Sequence, residues 1–332
     1  MKPEEQLSAT VQTLLNQCRE QIAPHTLNLL ISGPDSLTLN PTASQIVKDQ
    51  EGNYVLTVPN PRFANFIVAH ELLHLQQETS QSIQVGPVDD TDKQMANFLA
   101  VFGQIVLETI LHQAMLPRLQ AMDVLDQPTQ NAIRSYVSAN LMHDDDLSIG
   151  SEGSTVTGNA LHIVGARVLL DAETLADTSW ANDFPRAWSL AQTLQETWLE
   201  KPLTTNRQLR AALMRVLNLF MDKKLIDEQI DLGRHLTVTA VLSPRELNLK
   251  VSQLFHFYHQ PEPELADLYL LLGDKDEQCV GTFKIPVDQQ GSEAMHERYE
   301  QRVEDFLNEH QIEYAQRDGH YLPEQFPGEQ HE

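Results

Sequence analysis

The sequence predicts an α+β protein, predominantly α-helical, with a small N-terminal sheet and a helical C-terminal region. Three observations lead there. Apolar residues recur at spacings of three and four along most of the chain. β-prone stretches gather in two places, residues 27–58 and 268–285. Hydrophobic residues make up 41% of the 332 and charged residues 21%, a balance that supports a buried core and excludes wholesale disorder.

Residues 4–22 carry Leu7, Val11, Leu14, Leu15, Cys18 and Ile22 at helical spacing, and Pro24 marks the end. The rhythm then changes to short β-prone stretches. Leu27–Ser32 and Asn53–Val58 read as strands, with Leu37–Leu39 a further short one, divided by turn signals at Gly33-Pro34-Asp35 and Glu51-Gly52. In Pro59-Asn60-Pro61, Asn60 suits a helix cap and Pro61 a first turn, where its missing amide costs nothing. That helix should run from about 61 to 81. A second long helix should start at Thr91 or Asp92 and stop near Met115, before Pro117. Further helices are expected at about 128–142, 155–176, 184–199, 205–222, 243–258 and 292–315, and a hairpin at 268–285. The Asp144–Gly153 stretch is the best linker, which divides the chain into a metal-binding domain, 1–145, and a helical domain, 150–332.

Charge and composition narrow the function. With 23 Lys+Arg against 47 Asp+Glu, the net charge is −24 and would repel the phosphates of nucleic acid. No nucleic-acid or membrane partner is expected, since no basic cluster and no unbroken apolar run of membrane length occurs. The two cysteines, Cys18 and Cys279, are far apart in sequence, so disulfide stapling is not expected. The first residues lack the layout of a secretory signal, and a cytoplasmic location is the expectation.

The chemistry concentrates in Ile67–Gln77, IVAHELLHLQQ, where His70, Glu71 and His74 form an H-E-x-x-H. On a helix, residues four apart share a face with Cβ atoms about 5–6 Å apart, so two imidazoles can converge on one cation. Glu71 emerges on an adjacent side and can reach a metal-activated water as a general base. The surrounding Ile67, Val68, Leu72, Leu73 and Leu75 supply the apolar shell such a site needs.

These residues resemble the active-site helix of zincin metallopeptidases, over about residues 25–118. The resemblance implies a zincin-like core, with a small sheet before the motif helix and a further ligand from a later helix. The metzincin extension would place Gly and His at Gln77 and Ser80, so the gluzincin branch is the nearer comparison; there a Glu from a second helix completes the site. Glu108, 34 residues beyond His74 in an apolar stretch, is the first choice, because an unpaired carboxylate there would be costly to bury. His112 shares its helical face and is the alternative, as ligand or as hydrogen-bond partner. Glu78 and the Asp89, Asp90, Asp92 cluster come after these. His143 with Asp144–Asp146, and His256 with His259, are weaker candidates.

The resulting expectation is a zinc-dependent metallopeptidase acting on a peptide or protein. His70, His74 and Glu108 bind Zn2+, and Glu71 takes the proton of the attacking water. The alternative is a zincin-like binding or regulatory protein that hydrolyses nothing.

Overall fold

The computed structural model describes residues 3–41, 44–80, 83–88, 92–143, 152–199, 203–226, 230–259 and 266–319. The architecture is α+β and mostly helical, as the periodicities predict. It divides into two units that are each discontinuous in sequence: Met1–Ser80 with Leu111–Glu196, and Gln81–Ile110 with Thr197–Gly319. A single cut near residue 145 is therefore not where the division falls. The helical residues just beyond that point belong with the motif, and the break comes inside a helix instead.

In the first unit, α1 (Ala9–Gln21) begins where the Ser8 hydroxyl accepts the amide of Val11. This cap separates α1 from a 3-10 turn at Pro3–Gln6, so the expected helix 4–22 is two pieces. β1 (Leu27–Ile31), β2 (Gln45–Lys48) and β3 (Tyr54–Val58) form a sheet in the order β1-β3-β2, with β1 parallel and β2 antiparallel to β3. Leu37–Leu39 is not a strand. Its backbone is taken up elsewhere: the Asn60 amide donates to the carbonyls of Ser36 and Thr38, and the Leu39 amide donates to Ala132. Gly33 makes this path possible, because its φ is +115° and a Cβ there would lie 2.2 Å from the Pro59 carbonyl oxygen.

Asn60 then starts the motif helix as expected. Its side chain accepts the amide of Arg62, a 3-10 turn covers Pro61–Phe63, and α2 runs Ala64–Thr79. α2 is buried almost all round, from Phe66 to Leu75, as a helix apolar on every face should be. α1 packs on it through Val11, Leu14, Leu15 and Cys18. The Cys18 thiol donates to the Leu72 carbonyl, and burial pushes its pKa up to about 12, so it stays a thiol. Both cysteines are free.

α3 (Lys93–Ala121) is capped by Asp92, which accepts the amide of Gln94. It does not stop before Pro117 but carries that residue inside it. Met115, Leu119 and Met122 are all buried, and their burial outweighs the one helical hydrogen bond that proline forfeits. By length and composition α3 could cross a bilayer, with mean hydropathy 1.4 in its most apolar window, yet 56% of that window is buried inside the protein. The unit closes with α4 (Gln127–Asn140), α5 (Glu152–Leu169), α6 (Ala172–Ala176), α7 (Trp180–Asp183) and α8 (Pro185–Leu199). The expected helix 155–176 is interrupted where Asp171 caps α6 by accepting the amide of Thr174.

The second unit is not the helical domain expected. It holds β4 (Val85–Pro87) paired with β5 (Leu236–Val238), β6 (Ala240–Leu242) paired with β10 (Tyr314–Gln316), and an antiparallel sheet β7-β8-β9 (Phe255–His259, Leu268–Gly273, Cys279–Lys284). The last two strands are the expected hairpin. Its helices are α9 (Asn206–Asp222), α10 (Leu232–His235), α11 (Pro244–Leu247), α12 (Ser292–Glu300) and α13 (Val303–Glu309). The expected helix 243–258 ends after one turn, and Phe255-His256-Phe257-Tyr258-His259 is a strand, as its alternation of ring types allows. His256 and His259 consequently point to opposite faces and cannot share a ligand. The expected helix 292–315 breaks at Gln301 and Arg302, so that α13 can bury Val303, Phe306 and Leu307 against Tyr269 and Phe283.

Candidate metal centre

Within the first unit, β3 delivers the chain to Asn60, the cap fixes where α2 begins, and the start of α2 fixes which way His70 and His74 project. One turn apart, their ring centroids lie 4.6 Å from each other. His112 joins them from the part of α3 that belongs to this unit, its ring 4.7 Å from His70 and 5.4 Å from His74. The three Nε2 atoms converge: 3.3 Å between His70 and His74, 3.4 Å between His74 and His112, and 2.7 Å between His70 and His112. Among the described residues this is the one group of three or more possible ligands whose donor atoms all lie within 4.8 Å of one another.

Such a group could hold a metal ion. Zinc–nitrogen distances of about 2.0–2.1 Å at tetrahedral angles put neighbouring donors roughly 3.3–3.4 Å apart. Two of the three separations have that value, and the third, at 2.7 Å, needs to open by roughly 0.6–0.7 Å. Imidazole donors suit zinc, copper, iron and nickel alike, so the donor set does not choose among them.

The electrostatics keep the donors free. Burial, and then the neighbouring His70, push the His74 pKa well below the ordinary imidazole range. Burial, followed by His70 and His74, does the same to His112. Both rings are neutral at pH 7 and offer a lone pair. His70 is 2% and His112 4% exposed, and Phe66 stacks on His70 with 5.6 Å between centroids. His74 is only half-buried.

Glu71 is 7% exposed, and its Oε1 accepts two hydrogen bonds: one from His70 Nδ1 and one from the Ser44 hydroxyl, each 2.9 Å. Ser44 belongs to no motif, and nothing in the sequence singles it out.

Glu108 is not brought into the group. It is half-buried rather than enclosed, and its Oε1 accepts from Gln104 Nε2 at 3.0 Å, toward the start of α3. The burial penalty that favoured it as a ligand is therefore small. His112, one turn and about 6 Å further along the axis, is the α3 residue that meets the motif pair. Glu78 is exposed on the last turn of α2, and Asp92 serves as the α3 cap. His143 is exposed; Asp89, Asp90 and Asp144–Asp146 lie outside the described residues.

Comparison with protein-family models, with curated proteins and with solved structures finds no match for this chain.

Proposed function

We propose that this protein is a zinc-dependent hydrolase of peptide bonds, built on a zincin-like motif helix with an all-histidine ligand set. One observation carries the reading: three imidazoles converge through Nε2, two of them from an H-E-x-x-H helix, with His70 and His112 buried and with His74 and His112 held neutral by their surroundings. In this reading His70, His74 and His112 hold the ion, and three protein ligands leave a position for water, as catalytic zinc requires. The site then departs from the gluzincin pattern at its third ligand. When bound, zinc supplies Lewis acidity toward a carbonyl oxygen and toward water.

The chain's own residues supply the rest. Glu71 is the acceptor for the water's proton. Both of its hydrogen bonds end on Oε1, which leaves Oε2 for that task. His70 donates Nδ1–H to Glu71 and so turns its Nε2 lone pair to the ion. The neighbouring apolar side chains, Phe66, Ile67 and Leu73, exclude bulk water and strengthen these interactions. The peptide or protein substrate belongs to this proposal.

Glu71→Gln tests it. The amide oxygen still accepts from His70, so zinc stays bound at one per chain, whereas hydrolysis of a fluorogenic peptide library should fall by at least 100-fold. A second reading, in which Glu71 serves only to hold His70 and the protein binds without hydrolysing, is favoured by the commitment of Oε1. It expects no turnover from the zinc-loaded native chain.

A further inference from the structure

We infer that Ser44 is a positioning residue of the metal centre: through Glu71, its hydroxyl holds His70 in the tautomer and orientation that present Nε2 to the ion. This rests on the metal-binding part of the proposal above.

The argument begins with helix geometry. His70 and Glu71 are adjacent on α2, and adjacent helical side chains diverge by about 100° and do not face each other. Their 2.9 Å contact therefore needs something outside the helix to hold the carboxylate over the ring. Ser44 is that group. It stands just before β2, the strand paired with β3, and reaches across 27 residues of sequence to the same Oε1.

Chemistry fixes the directions. A carboxylate only accepts, so the serine hydroxyl and the imidazole Nδ1–H both donate. With its proton on Nδ1, His70 has its lone pair on Nε2, the atom that lies 3.3 Å from His74 Nε2 and 2.7 Å from His112 Nε2. All three members of the chain are buried, at 8%, 7% and 2% exposure for Ser44, Glu71 and His70, so water cannot substitute freely for a missing donor. Without the Ser44 hydroxyl, Glu71 keeps one of its two donors and is free to swing from His70.

The test compares the native chain with Ser44→Ala and Ser44→Thr by titration with Zn2+ against a chromophoric chelator. The 15N signals of His70 are also recorded in the metal-free protein. Ser44→Ala should weaken zinc binding about tenfold at unchanged one-to-one stoichiometry, the size expected for a partner that orients a ligand. It should also turn the His70 signals from the Nδ1–H form to a mixture of tautomers. Ser44→Thr, which restores a hydroxyl, should recover both. The inference is overturned if Ser44→Ala leaves affinity and tautomer as they are, or if threonine fails to recover what alanine loses. Should the native chain take up no zinc, the metal reading falls, and the tautomer comparison alone decides the role of Ser44.

Discussion

Replacing His112 by alanine, beside a matched Glu108→Ala, separates the two α3 residues that helical spacing alone leaves in competition. A ligand that binds only the folded state stabilises it by RT ln(1 + [L]/Kd), about 2.7 kcal/mol at a hundredfold excess over Kd. For a unit of this size each kcal/mol raises the unfolding midpoint by about 2–4 °C, so zinc should raise it by roughly 5–10 °C. Structural zinc sites bind with about 10–16 kcal/mol over four ligands, so one ligand is worth roughly 3 kcal/mol and its loss weakens binding by two decades or more. At the same zinc concentration His112→Ala is left near its Kd. Its gain shrinks to about 0.4 kcal/mol, a shift under roughly 2 °C. Glu108→Ala loses a half-exposed carboxylate that accepts from Gln104 and stands outside the imidazole group, so it should keep the full zinc shift. Thermal unfolding with and without zinc reads both variants directly. A full shift in His112→Ala together with none in Glu108→Ala would refute the reasoning and return the third ligand to the carboxylate.

Three further perturbations probe the frame around the site. Leu72→Ala empties a fully buried position on α2 and should cost about 2–5 kcal/mol in urea unfolding. Gly33→Ala forces a side chain onto φ +115° with its Cβ 2.2 Å from the Pro59 carbonyl oxygen. It should cost at least about 1–3 kcal/mol, and it should weaken zinc binding too, because Pro59 precedes the Asn60 cap that starts α2. In the second unit, burial holds His310 below its ordinary 6.5, with Glu309 opposing and Arg298 assisting. A folded-state pKa below the unfolded one gives stability that is whole above pH 6.5 and drains away as the pH falls below it. His310→Phe keeps a ring against Phe283 and Phe306 and should flatten that decline in denaturation midpoints measured from about pH 7.5 to pH 5.

What could be read from sequence follows from how local each signal is. The Asn60 cap and the motif helix, β1, β3, the β8–β9 hairpin and the Thr205–Gln208 capping box of α9 are all written within a few consecutive residues. The misses depend on partners far away. β2 shows no alternation of buried and exposed positions, and β4, β5 and β6 are three residues each and exist only through their pairing. α3 passes its proline because distant apolar surface covers its last turns. In the site itself, the motif named His70, Glu71 and His74, while the cost of burying a carboxylate ranked Glu108 above His112 on their shared face; the turn of α3 that meets α2 reverses that order. Ser44 had no signal at all, since its role rests on a contact across 27 residues.

The most direct measurement is X-ray absorption on the protein after zinc loading and removal of free metal. The account predicts one zinc per chain with three imidazole nitrogens at about 2.0–2.1 Å and a light atom completing the shell, and loss of one nitrogen in His112→Ala. A chain that retains no zinc, or retains it with a ligand shell that His112→Ala leaves untouched, would contradict it.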